Sequence, residues 1–250
     1  MTSSSLEPAL LEQLRQLSTC VASSAIETFG VRLPNVGFAD SRVRSMFPEL
    51  PAIVGYAATA RVRSAAPPME GGTYYLHTDW WNAILAVPSP RIAVIQDADE
   101  PPGLGGFVGE VHANILRALD CNGLVTNGAV RDLHKVRAIP FSMFAGNVSV
   151  SHAYAHVSGF GQPVEVGGLE IVPGDLLLAD QHGVLSIPRE IAARIPQVAE
   201  QIEERRRCLV ELCNRQDFQP EMLDEACKTL GIMKQEAGEM LKNGSKGGRS

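Results

Sequence analysis

The residue types and spacing best suited to chemistry are an acid in GFVGEVHAN, Glu110, and an Arg-Asp pair in NGAVRD, Arg131 and Asp132. Carboxylate oxygens are the donors that Mg²⁺ and Mn²⁺ accept, and because these hard ions keep several waters, one or two acids suffice to hold them. A guanidinium offers a planar fork to a carboxylate or an enolate. The three residues together describe a site for a divalent cation and an anionic substrate. Gly105, Gly106, Gly109 and Gly128 lie close by in sequence, where backbone N–H groups can approach such an anion. On its own an Arg-Asp pair after a strand is more often a surface ion pair or a helix-start acid, so the elements around it decide its meaning.

Those elements read as one β-α-β unit. RIAVIQDAD is an apolar strand ending in acids. EPPGLGG is a loop, and in GEVHANILRAL the residues Val111, Ile115 and Leu119 lie four apart on one helix face. GLVTN is a second apolar strand. Parallel pairing with a right-handed crossover follows, and the loops leaving the two strands' carboxyl ends open on one rim. One loop carries Glu110 and the other Arg131 and Asp132.

Upstream, IVGYAATARV is strand-like and LHTDWWNAILAV helix-like. Residues 141–187 are expected to be mostly β, with Gly167-Gly168 as a two-residue hairpin turn and DQHG as another turn. Residues 1–50 read as a helical arm: Leu6, Leu10, Leu11 and Leu14 share a face, and Ser18 or Thr19 caps a second helix that ends near Gly30. Residues 51–187 form the core, and 188–250 form C-terminal helices with a kink or break at Pro196 and a frayed tail, KNGSKGGRS. The apolar faces of arm and extension imply an oligomer.

Composition narrows the function classes. The 250 residues carry 22 Lys+Arg against 28 Asp+Glu, a net charge of −6, with no long basic block, so a nucleic-acid partner is not expected. No apolar run reaches spanning length, and MTSSSLEPALLEQ lacks the order of a secretory signal, so a cytoplasmic protein without a membrane partner is expected. Five cysteines without CxxC spacing suggest neither a disulfide framework nor a thiolate zinc site.

The segments GGFVGEVHANILRALDCNGLVTNGAVRDLHKVRAIPFSMFAG and GQPVEVGGLEIVPGDLLLADQHGVLSIP resemble the RraA-like family. That family includes the 4-hydroxy-4-methyl-2-oxoglutarate and 4-carboxy-4-hydroxy-2-oxoadipate aldolases. The likeness covers roughly residues 15–205 and is densest from Gly105 to Pro188. It implies an α/β fold, a swivelling β/β/α domain assembled into trimers or hexamers with sites between subunits. It also implies divalent-metal-dependent cleavage of a keto-acid substrate to pyruvate, with oxaloacetate decarboxylation beside it. By position, Asp132 corresponds to the metal-site carboxylate and Arg131 to the group that holds the pyruvyl oxygens. Glu110 takes the acidic position that supports the metal and proton transfer. Gly109 and the amides of Val111 and His112 match the loop that receives the substrate carboxylate. The sequence departs from the family at Glu110, where Asp is usual, and at His112, where an aliphatic residue is usual. A second branch of the family restrains an RNA-degrading endonuclease without catalysis, which is the alternative function.

Other features carry bland readings. GLGGFVG is preceded by too long a loop for a dinucleotide fingerprint. His152 and His156 stand four apart, but SVSHAYAHVSG alternates like a strand or loop, so ordinary polar contacts are expected there. Of Trp80 and Trp81 at most one is expected to be deeply buried, and Glu200, Glu203 and Glu204 read as a solvated helix face.

Overall fold

The structure, a computed structural model, describes residues 5–68 and 78–230. His77 and the tail 242–250 lie outside the described residues. The chain begins with helices α1 (Pro8–Arg15) and α2 (Thr19–Glu27), followed by strands β1 (Arg44–Ser45) and β2 (Ile53–Arg63). Helix α3 (Thr78–Leu85) leads to β3 (Arg91–Asp97), β4 (Gly106–Val108), helix α4 (Glu110–Ala118), β5 (Cys121–Thr126) and β6 (Ala129–Val130). A short helix α5 (Leu133–Val136) precedes β7 (Ser142–Ala145), β8 (Asn147–Val148) and β9 (His156–Phe160). Two hairpins follow, β10 (Val164–Val166) with β11 (Leu169–Ile171) and β12 (Leu176–Asp180) with β13 (Gly183–Ile187), and then helices α6 (Ile195–Cys213) and α7 (Pro220–Leu230).

Among the described residues the main sheet has eight strands in the order β1-β7-β5-β3-β2-β12-β13, with β9 also on β2. Strands β2, β3, β5 and β7 are parallel, so their carboxyl ends share one side. The two faces differ in what they bury. On one, Val54, Tyr56, Leu176 and Leu185 pack against α1, α2 and α6. Further along the same face Ala60, Ile95, Leu124 and Met143 pack with Trp80, Leu116 and Val136 from α3, α4 and α5. On the other, Ala57, Val94 and Val125 meet Val164, Val166, Leu169 and Ile171 of the β10–β11 hairpin. Hairpin, sheet and helices thus stack as β/β/α, the order that the resemblance implies. The period of two along β2 assigns alternate side chains to opposite layers, and its alanines let both layers approach closely.

Gly167 and Gly168, at φ 58° and 72°, form the two-residue turn of β10–β11 as expected, a conformation glycine adopts without steric cost. Ser18 caps α2 by accepting from the Val21 N–H at 3.2 Å. Trp80 is buried and Trp81 half-buried. Two expectations are corrected. Pro196 neither kinks nor breaks a helix but sits at the start of α6, where its missing N–H costs no hydrogen bond. In α4 the buried residues are His112, Ala113 and Leu116, while Val111 is 53% exposed. Phe107, with its ring 4.6 Å from that of His112, turns this side of the helix inward.

Candidate functional site

Strand β4 continues the chain beyond β3, β6 beyond β5, and β8 beyond β7, and the three form a small parallel sheet at the carboxyl end of the main one. The sequence reading placed no strand at β4 or β6, while β8 falls in the stretch 141–187 expected to be mostly β. Strands of two or three residues are too short to show a period, so nothing in the sequence could have revealed them. They settle the geometry nevertheless. Gly106 pairs with Ala129 and Val108 with Val130, and the Arg131 N–H donates to the Val108 carbonyl at 3.0 Å. Each strand then runs directly into a helix, β4 through Gly109 into α4 and β6 through Arg131 and Asp132 into α5. Two helix entrances therefore lie side by side.

Glu110 begins α4 rather than lying in a loop, and its backbone N–H donates to Asp132 Oδ2 at 3.3 Å. The first N–H groups of a helix have no intrahelical acceptor, and Gly109 has no side chain to supply one. Asp132 performs that capping from the neighbouring segment. A Cβ on Gly109 would collide with Asp132 Oδ2 and come within 2.8 Å of Arg131 Cγ, which explains glycine at this position. Asp132 itself has φ 55°, a left-handed conformation that aspartate tolerates better than most residues. Arg131 Nε is buried, makes no hydrogen bond, and faces Asp132 Oδ1 at 3.6 Å. Gly109, Glu110, Val111, His112, Arg131 and Asp132 thus share one rim.

The Glu110 side chain is held by Lys135 of α5, Nζ to Oε2 at 2.6 Å, and this hydrogen bond raises the Lys135 pKa. Both groups are about half exposed, so the pair orients more than it stabilises. His112 is only 3% exposed. Burial, reinforced by the nearby His152, lowers its pKa to about 4, against a smaller opposing effect of the Phe107 carbonyl, so its ring is neutral at pH 7. The other glycines do something different from what was expected. The N–H of Gly105 donates to Ser64 Oγ at 3.1 Å, that of Gly106 to the Ser151 carbonyl at 2.8 Å, and that of Gly128 to Thr126 Oγ1 at 3.0 Å. Their N–H groups are used within the fold, and glycine is required by close packing. At Gly105 a Cβ would overlap the His152 carbonyl.

Two further groups of residues were given no role at the site from the sequence. The acids at the end of β3 organise the loop before β4: Asp97 Oδ2 accepts from Gly103 N–H at 2.7 Å, and Asp99 Oδ2 from Ser64 and Ala65 N–H at 2.5 and 2.8 Å. Burial raises the Asp97 pKa, and its backbone hydrogen bonds offset part of that rise. A cavity of about 10 Å³ beside Asp97, Thr126 and Gly128 is at the lower limit for a single water. The acids that close RIAVIQDAD were the available signal for this anchor. The second residue is His152, on the loop between β8 and β9, within electrostatic reach of Arg131, Asp132 and His112. His156 lies on β9, so the two histidines share no helix.

Among the described residues no three His, Cys, Asp or Glu side chains cluster as a metal cage. The donor set on the rim is two carboxylates, which fits an oxygen-seeking ion that retains water and does not fit a structural zinc. No helix among the described residues is long and apolar enough to cross a membrane.

An α/β protein of β/β/α layers, with an acid-arginine-acid rim where a small sheet meets two helix starts, is the class that fold and site define. Residues 19–186 match the family model described as "RraA-like: Aldolase/RraA", and the chain belongs to that family. A 4-hydroxy-4-methyl-2-oxoglutarate aldolase of Thermus thermophilus is 36% identical over 69 residues, 26% of this chain and 41% of that protein. A Halalkalibacterium halodurans protein provisionally given the same name is 31% identical over 86 residues, 33% of this chain and 40% of its own length. The chain thus spans about two fifths of the length of the curated relatives it matches. Among solved structures, an uncharacterised protein of Pseudomonas syringae pv. tomato superposes with a TM-score of 0.68 at 21% identity, covering 90% of this chain and 96% of the other. RraAS2 of Streptomyces coelicolor, described as an unusual member of the RNase ES inhibitor RraA protein family, gives 0.64 at 23% identity over 82% of this chain and 98% of the other. These likenesses establish the fold.

Proposed function

We propose that the protein is a divalent-metal-dependent carbon–carbon lyase that releases pyruvate from a 4-hydroxy-2-oxo diacid, with oxaloacetate decarboxylation as a side activity. The observation that carries this reading is the convergence of Arg131, Asp132 and the first turn of α4 on one rim. A buried guanidinium nitrogen without a hydrogen-bond partner, beside a helix start whose own N-cap, Gly109, has no side chain, is a place for an anion. Relatives named as aldolases support the same class.

In this reading Asp132 and Glu110 are the residues that would hold Mg²⁺, or Mn²⁺. When bound, such a cation supplies Lewis acidity toward a keto acid. Arg131 grips the pyruvyl oxygens with its planar fork and stabilises the negative charge that develops on them as the C–C bond breaks. The N–H groups of Val111 and His112, at the positive end of α4, receive the substrate carboxylate. Glu110, oriented by Lys135, takes up the hydroxyl proton of the leaving fragment through a water. A homotrimer or homohexamer is part of the proposal, since the rim is open on the side of Val111.

Pyruvate release, coupled to lactate dehydrogenase and measured with oxaloacetate and with 4-hydroxy-2-oxo diacids, tests the proposal. Release that requires Mg²⁺ and stops with EDTA is expected. No metal-dependent release from any of them would sink it. In that event a melting temperature unmoved by Mg²⁺ plus pyruvate, together with recovery of a nuclease in a pull-down, would favour the regulatory branch.

A further inference from the structure

The two helix starts that bring the acids of the rim together also bring a second cation to it. Lys135 is the third residue of α5, and its N–H donates to the Asp132 carbonyl at 2.9 Å, which closes the first turn after Asp132. Its side chain crosses to the neighbouring helix start, where Nζ reaches Glu110 Oε2 at 2.6 Å. Asp132 meanwhile faces Arg131 Nε at 3.6 Å. Each acid of the rim is thus matched by a cation, and these four side chains together carry no net charge. The ammonium lies in the field of both carboxylates: the hydrogen bond and charge of Glu110 raise the Lys135 pKa most, and the charge of Asp132 adds to the rise.

The affinity of an oxygen site for a hard cation follows the negative charge that the site presents. Lys135 cancels one of the two negative charges here and repels an incoming divalent ion. The same positive charge attracts an anion, as Arg131 does. Its side chain is 51% exposed, so water moderates the effect without removing it. A unit charge a few ångströms away in largely aqueous surroundings is worth roughly a 3- to 10-fold change in a binding constant. An ion pair this exposed contributes little to stability, so the charge can be removed while the fold is kept.

We propose that Lys135 sets the balance of the rim between its two ligands: its ammonium weakens the hold of Glu110 and Asp132 on a divalent cation and strengthens the hold on an anionic substrate. The inference rests on the reading that this rim takes a cation and a keto acid. It goes beyond that reading by giving Lys135 a charge role that orienting Glu110 does not require.

The test uses the full chain with Mn²⁺ as the probe, its free concentration read by electron paramagnetic resonance. Oxalate is then titrated calorimetrically into the Mn²⁺-saturated protein. Lys135→Met removes the charge at similar length, and Lys135→Arg keeps it. The Met variant is expected to bind Mn²⁺ roughly 3- to 10-fold more tightly and oxalate more weakly by a similar factor, with both constants near parental in the Arg variant. A parental value of either constant in the Met variant, or the same Mn²⁺ gain in Arg as in Met, overturns the proposal. Asp132→Asn marks the site and is expected to weaken Mn²⁺ binding. If it does not, or if the unmodified chain binds no Mn²⁺, the cation does not belong to this rim, and the lyase reading fails together with the proposal, a pattern distinct from failure at Lys135 alone.

Discussion

Asp132 serves the rim in two ways, and substitutions can separate them. Asp132→Asn keeps an oxygen to accept the Glu110 N–H but loses the charge, whereas Asp132→Ala loses both. Both are expected to lower metal-dependent pyruvate release by roughly 100-fold or more, and only Ala to lower stability, by about 1 kcal/mol as other lost helix caps do. Arg131→Lys keeps the charge without the fork, and a loss of similar size is expected in the same assay. Full activity in all three would remove the rim from the chemistry. His112 offers a pH test. Its folded pKa, about 4, lies below the usual 6.5, so between those values the unfolded chain takes up a proton that the native protein does not. Stability must therefore fall as pH drops through that window, by roughly 2 kcal/mol between pH 7 and pH 5. Urea unfolding at the two pH values should show that this increment disappears in His112→Leu.

The helices owe their positions to polar contacts that link distant parts of the chain. Arg91, 9% exposed, donates to the carbonyls of Leu85, which ends α3, of Val87 just beyond it and of Leu119 after α4, placing a cation at two helix ends. At the other end of the sheet Asp180 closes β12 and accepts from Thr19 N–H at 3.0 Å and Thr19 Oγ1 at 2.7 Å, which anchors α2. Burial alone would raise the Asp180 pKa, but hydrogen bonds from Thr19 and His182 outweigh it and hold the carboxyl below its usual value. A depressed carboxyl stabilises the fold above its unfolded pKa and loses that contribution as pH falls through the folded one, below about pH 4. Asp180→Ala is therefore expected to cost about 2 kcal/mol near neutrality in chemical denaturation, with the difference shrinking in acid. A constant difference down to pH 2 would contradict the link. Signals for helix, strand and turn were readable in this region, since leucine spacing, the Gly-Gly pair and the Ser18 cap depend on neighbours in sequence. The tie between Thr19 and Asp180 was not, because its partners are 161 residues apart.

At the scale of the whole molecule, several large apolar side chains remain uncovered near the rim: Leu104, Val111, Val148, Val150 and Tyr154. Val150 is 96% exposed. Apolar groups gathered beside a polar site are typical of a surface that meets another subunit. Light scattering is expected to give a mass of three or six chains of 250 residues. Val150→Glu should shift that mass toward the single chain, because a charge in an apolar contact loses hydration without a partner. A single-chain mass for the unmodified protein would remove the shared-site part of the proposal.

The β/β/α layering was implied by the resemblance to the family, whereas the sequence by itself determined the β-α-β unit, the Gly167-Gly168 turn and the Arg131-Asp132 motif. Each follows from local periodicity, turn chemistry or a contiguous motif, such as Arg131-Asp132 after GLVTN. Tertiary structure alone decided how those residues meet. The small sheet of β4, β6 and β8 brings two helix starts together, so that Asp132 caps α4 and Glu110 turns to Lys135. It also faces α4 inward through His112 and carries His152 to the rim. Pairing of strands this short depends on three-dimensional neighbours supplied by the main sheet, and such neighbours leave no period in the sequence.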